Sequence, residues 1–105
     1  MQFTSHWSET VKFHFSDQIG AMVQGAFDGT TVRWLGFKFD DGGRAEVRID
    51  GNVVAIVDQY GPGRNLPFDW SVGDLSPGHH TIQLKILAEK SPQSKGRFIN
   101  VAGFE

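Results

Sequence analysis

The sequence predicts an all-β chain folded as an antiparallel two-sheet β-sandwich. Three observations carry this reading. Apolar residues recur at every second position in several short segments, the period of a strand with one face buried. Thirteen glycines are scattered along the chain with nine Phe and three Trp, which suits tight turns around a bulky core. No segment shows the longer apolar period of a helix.

Thr10 to Phe15 sets Val11, Phe13 and Phe15 against Thr10, Lys12 and His14, a half-buried strand. Ala21 to Phe27 reads as a weaker strand, loosened by Gly25 and closed by Asp28-Gly29. Thr30 to Phe39 (TTVRWLGFKF) is apolar on both faces in places, so it lies centrally or contains a bulge near Gly36. DDGG at 40–43 turns the chain into RAEVRID, where Ala45, Val47 and Ile49 share one face and Arg44, Glu46, Arg48 and Asp50 the other. Asp50-Gly51-Asn52 supplies hairpin chemistry, with Val53 to Val57 as the returning strand. GPGRNLP at 61–67 is a loop and Phe68 to Val72 a short strand. LSPG at 75–78 leads into HHTIQLKIL, whose His80, Ile82, Leu84 and Ile86 share a face. KSPQSKG at 90–96 reads as a mobile polar loop, and Arg97 to Glu105 as the closing strand. About eight strands result, with loops between them at intervals that suit a jelly roll.

At 105 residues the chain has the size of one domain, expected to span 1–105. A formal charge of −2 leaves no basic excess for a phosphate backbone, so nucleic acid is not an expected partner. No run approaches the roughly 18 apolar residues of a membrane span, and MQFTSHWSET lacks the pattern of a signal peptide. The chain is therefore read as cytoplasmic, or as a fragment beginning at an added Met1. With no cysteine there is neither a disulfide framework nor a thiolate metal site.

The segments FDGTTVRWLG, DGGRAEVRIDG, VDQYGPG, LSPGHHTIQLKI and SPQSKGRFINVAGFE, in that order, resemble the galactose-binding-like jelly-roll modules that accompany glycoside hydrolases and carbohydrate esterases. The resemblance covers residues 3 to 105. It implies a non-catalytic carbohydrate-binding accessory module, with an oligo- or polysaccharide as ligand and a neighbouring catalytic domain in a longer parent chain. A secreted or periplasmic location follows if the module is excised from such an enzyme. Modules of this fold often hold a structural calcium near their termini, and related sequences read V-D-x-F-E where this chain reads Val101, Ala102, Gly103, Phe104, Glu105. Ala102 removes one carboxylate and leaves Glu105 with Glu9 or Asp17, so no metal and no cofactor are expected. The alternatives are a structural or protein-interaction sandwich within a glycan-active enzyme, a homo-oligomerising domain, or a small glycosidase. The last needs a carboxylate pair, for which Asp40 with Asp41 and Asp28 with Asp58 are the candidates. No nucleophile, base and orienting group occur together in a motif, so the chain is read as a non-enzyme.

A sugar site joins an aromatic plane to a few rigid hydrogen-bonding groups. Tyr60, Arg64 and Trp70 form the densest such group outside the regular strands, although Trp70 also suits a lid on the core. Trp7 either caps an open end of the sandwich or serves as a platform. His79, on the face opposite to His80, completes the expected ligand-binding set. His80 itself reads as a core histidine satisfied by a carboxylate or carbonyl. Trp34, in phase with Val32, reads as core.

Overall fold

A computed structural model describes residues 2–3, 8–9, 14–63 and 66–104. The chain is all-β, and no helix occurs among the described residues. One sheet has five strands in the order β1-β4-β9-β6-β7, where β1 is Gln2–Phe3, β4 Met22–Asp28, β9 His79–Ile86, β6 Arg44–Ile49 and β7 Asn52–Asp58. Two three-stranded sheets supply the rest. One is β10-β3-β2, with β10 at Ile99–Val101, β3 at His14–Ser16 and β2 at Ser8–Glu9. The other is β11-β5-β8, with β11 at Gly103–Phe104, β5 at Val32–Lys38 and β8 at Leu66–Val72. Every strand pair is antiparallel.

The alternation read from the sequence places the core. Ala45, Val47 and Ile49 of β6, and Ile82, Leu84 and Ile86 of β9, are buried against Val32, Trp34, Ile99 and Val101. Phe104 joins the layers, since a Cβ on Gly25 in the five-stranded sheet would come within 2.9 Å of its ring. The β6–β7 hairpin turns on Asp50 (φ 51°) and Gly51 (φ 85°), the two left-handed residues that a tight two-residue hairpin needs.

Several elements differ from expectation. The strand expected from Thr10 is described only from His14 onward; positions 10–13 lie outside the described residues. The expected single closing strand divides at Ala102. Ile99–Val101 pairs with β3, whereas Gly103–Phe104 pairs with β5. Gly36 carries no bulge, because β5 pairs with β8 in unbroken register from Val32↔Val72 to Lys38↔Leu66. β5 is instead the central strand of its sheet, the other course open to a segment apolar on both faces. The register shift falls between Val47 and Arg48, opposite Val54. Leu66 and Pro67, expected in a loop, begin a seven-residue β8.

The 90–98 segment is tied down. Ser94, 5% exposed, sets its Oγ 2.6 Å from the Gly42 carbonyl. The Lys95 and Phe98 amides donate to the Asp40 and Asp41 carbonyls, both at 2.9 Å. A side chain at position 43 would put a Cβ 2.7 Å from the Arg97 backbone, so DDGG is the floor on which the 90–98 loop rests. The lysines suggest a mobile polar loop by composition; the small serines between them allow the close approach that fixes it.

Two polar arrangements tie the fold together, the first of them buried. In the first, Asn100 spans to β5 by accepting from the Phe37 N–H and donating to the Phe37 carbonyl, each at 2.8 Å. Gln59, fully buried, accepts from the Asn100 N–H at 2.9 Å and donates to its carbonyl at 3.1 Å. Trp34 Nε1 donates to the same carbonyl at 3.0 Å. Each amide side chain thus takes the place of a missing strand neighbour. In the second, His80 sets Nδ1 2.5 Å from Asp50 Oδ2 and Nε2 2.5 Å from the Ser76 carbonyl oxygen. Asp50 Oδ1 also accepts from the Thr81 N–H at 2.9 Å. Both ring nitrogens face acceptors, so the doubly protonated ring is favoured. The Asp50 hydrogen bond, then the Ser76 carbonyl, raises the His80 pKa above 6.5. The His80 hydrogen bond, then the Thr81 amide, lowers that of Asp50 below 3.8.

Asn100→Ala removes the two side-chain hydrogen bonds made to the N–H and C=O of Phe37. It is expected to lower the free energy of unfolding in urea by about 3 kcal/mol, from roughly 1–3 kcal/mol per unsatisfied group; a loss below about 1 kcal/mol contradicts the bridging role. The His80–Asp50 pair gives a second expectation. The raised His80 pKa makes its contribution full below 6.5 and lost as pH rises through the folded value; the lowered Asp50 pKa makes its own full above 3.8 and lost as pH falls. The difference in thermal midpoint between the native chain and Asp50→Asn should be flat between 3.8 and 6.5 and shrink on either side. A difference that widens above pH 6.5 contradicts the pairing.

Candidate functional site

Of the residues that the sequence singles out, the described ones, Tyr60, Trp70 and His79, lie apart from one another. Tyr60 is half-buried and bridges Phe39, with its N–H donating to Asp58 Oδ1 at 2.8 Å. Trp70 lies within β8, not in a loop, and sits opposite Trp34. Cross-strand partners project to the same side of a sheet, and Trp70 packs against the core beside Trp34. The loop after Tyr60 closes at the Lys38↔Leu66 pair, so Trp70 is about 13 Å further along β8 at about 3.3 Å per residue. His79 is exposed at the opposite end of β9, with Nδ1 3.4 Å from Asp28 Oδ1. Arg64 and Trp7 lie outside the described residues, as does Glu105. Among the described residues no three His, Asp or Glu side chains come together as a metal would require.

A different surface has the shape of a site. Along β5, Val32, Trp34 and Gly36 face inward, which turns Arg33, Leu35 and Phe37 outward. Their partners on β8 are Ser71, Asp69 and Pro67. On the other flank β11 sets Gly103 against Leu35, a residue with no side chain of its own to stand over the face. The result is an open groove of about 650 Å³, lined by Leu35, Phe37, Lys38, Pro67, Asp69 and Ala102 among others. That volume falls within the roughly 300–1,000 Å³ of small-molecule sites.

The buried amides hold the floor of this groove in place. Asn100 grips the inner side of Phe37, and the inward face of Gly36 has no room for a side chain, since a Cβ would come 2.6 Å from Asn100 Oδ1. Phe68 instead covers Gly36 from β8 and meets Trp34 edge-on at 4.9 Å between ring centres. The outward side then pairs apolar Leu35, Phe37 and Pro67 with the carboxylate of Asp69. Among the described residues Asp69 and Arg33 have no hydrogen-bond or ion-pair partner, which leaves both heads available to a ligand. Among the described residues the lining contains one carboxylate, Asp69, whereas glycoside hydrolysis calls for two about 5–9.5 Å apart. An apolar floor with a few polar groups can hold a ligand without a chemical step.

Sequence reasoning places Leu35, Phe37, Pro67 and Asp69 in no site. The signal was present in TTVRWLGFKF, whose second apolar face has no inward role once Val32 and Trp34 take the core.

No family model matches the chain. It is 36% identical over 70 residues to the A type blood N-acetyl-alpha-D-galactosamine deacetylase of Flavonifractor plautii, a match covering 67% of this chain and 9% of that protein. Its fold resembles part of a Paenibacillus xanthan lyase with a TM-score of 0.72, at 19% identity, over 99% of this chain and 12% of that one. The chain therefore spans about a tenth of the length of either protein, and the second likeness is one of fold alone. This chain is a small β-sandwich similar to pieces of large enzymes that act on glycans.

Proposed function

We propose that the chain is a non-catalytic carbohydrate-binding accessory module, of the galactose-binding-like kind, belonging to a larger glycan-active enzyme. The observation that carries this is the groove over β5 and β8, an apolar floor beside unpaired polar heads. Its similarity to a small part of a deacetylase of sugar residues supports the same reading. A pyranose has an apolar C–H face that matches Leu35, Phe37 and Pro67, and hydroxyls that reach Asp69 and Arg33. In this reading Tyr60 borders the groove at its Lys38 end, Trp70 braces it from beneath and His79 stands apart from it, while Arg64 and Trp7 lie outside the described residues.

The affinity is set by modest terms. A hexose of about 12 non-hydrogen atoms, at roughly 0.3 kcal/mol per atom, gains about 3.6 kcal/mol, which is millimolar. An oligosaccharide along the groove, or a tethered catalytic domain acting on the same polymer, raises the effective affinity.

One observation favours a second reading, a domain that packs against a neighbour. Val53, Val54 and Ile56 are three of the five exposed large apolar side chains among the described residues, and all lie on the edge strand β7. Such a patch suits an interface.

Calorimetric titration with neutral oligosaccharides separates the two. The glycan reading expects saturable binding at millimolar concentration, weakened about fivefold to tenfold by Phe37→Ala with little change in the unfolding midpoint, the loss that roughly 1 kcal/mol of stacking represents. Absence of heat across gluco-, galacto-, manno- and xylo-oligosaccharides, together with self-association lost in Ile56→Lys, would establish the interaction domain instead.

A further inference from the structure

We propose that Asp69 makes the groove selective for neutral sugars over uronates, an inference that rests on the glycan reading above. Register places the Asp69 side chain beside Leu35, in the middle of the outward face of β5 and β8. It is exposed and has no partner among the described residues. A carboxylate held this way accepts hydrogen bonds from two adjacent hydroxyls of a pyranose, and charged acceptors make the stronger bonds. The same carboxylate repels a second one brought over the floor, and an apolar surface beneath the pair strengthens that repulsion.

Among the described residues the nearby cations, Arg33 and Lys38, stand at the ends of the face. Arg33 is opposite Ser71, one outward pair beyond Asp69 and Leu35, and forms no ion pair with Asp69. Lys38 is five residues from Arg33, about 16 Å along β5, and its stem runs past Gly61, where a Cβ would meet Lys38 Cβ at 2.8 Å. Neither cation therefore covers the centre. A sugar seated on Leu35 and Phe37 meets the negative charge first, whereas Arg33 donates to a ring or glycosidic oxygen from the side.

The test uses matched ligands, namely neutral gluco-, galacto- and manno-oligosaccharides and their C6-oxidised counterparts, titrated against the native chain and Asp69→Asn. The native chain should bind whichever neutral series it takes about tenfold tighter than its oxidised counterpart in low salt, and the ratio should shrink toward about threefold in 0.5 M salt. Asp69→Asn should bring the ratio below about twofold, weakening the neutral ligand while strengthening the uronate. Asp69→Ser, which also removes the charge from an exposed position, guards against a folding defect in the first variant. A uronate that binds tighter than its neutral counterpart, or a ratio that survives both substitutions, overturns the selectivity but keeps the glycan reading. Silence from every ligand in both series overturns the two together.

Discussion

The arrangement on which the rest depends is the pair of buried amides, Gln59 and Asn100. Where the closing segment leaves one sheet at Val101 and joins another at Gly103, backbone groups of β5 and β10 would go unpaired inside the protein. An unpaired buried amide or carbonyl costs as much as a lost hydrogen bond or more. Asn100 answers for Phe37, Gln59 answers for the N–H and carbonyl of Asn100, and Trp34 adds a second bond to that carbonyl. The loop after β7, the middle of β5 and the end of the chain are thereby held as one unit.

That unit fixes the outer surface as well as the inner one. With Phe37 held from within and Gly36 reduced to a bare backbone against Asn100, β5 has no freedom to rotate its apolar second face into the core. Leu35 and Phe37 must face out, and Gly103, the β11 partner of Leu35, has no side chain to stand over it. The groove is a consequence of how the strand switch is satisfied. On the opposite layer the His80–Asp50 contact performs a similar task at the hairpin end, tying the Asp50–Gly51 turn to Thr81 and the Ser76 carbonyl.

Much of the frame was legible in the residues because strand period and turn chemistry are local. Ala45, Val47 and Ile49 alternate with charges, Asp50-Gly51 carries its turn in its side-chain preferences, and His80 falls in phase with Ile82. The site was not legible for a matching reason. Trp70 looks like a loop aromatic until β8 is seen to pair with β5 over its full length, which fixes it opposite Trp34. Asp69 looks like any surface acid until register sets it against Leu35. Both depend on pairing between residues more than thirty positions apart, which no local pattern records. Ser94 is the same case on a smaller scale, a serine in a lysine-bearing loop that is buried with its hydroxyl on the distant carbonyl of position 42.

The central claim, that a glycan lies across β5 and β8, is tested most directly by following backbone amide shifts while a neutral oligosaccharide is titrated to saturation. Binding there gives progressive, saturable shifts at Leu35, Phe37, Lys38 and Asp69, with His79 and the outer face of β7 unmoved. Saturable shifts confined to His79 and Asp28 at the other end of the molecule, with the groove amides unchanged, would contradict it.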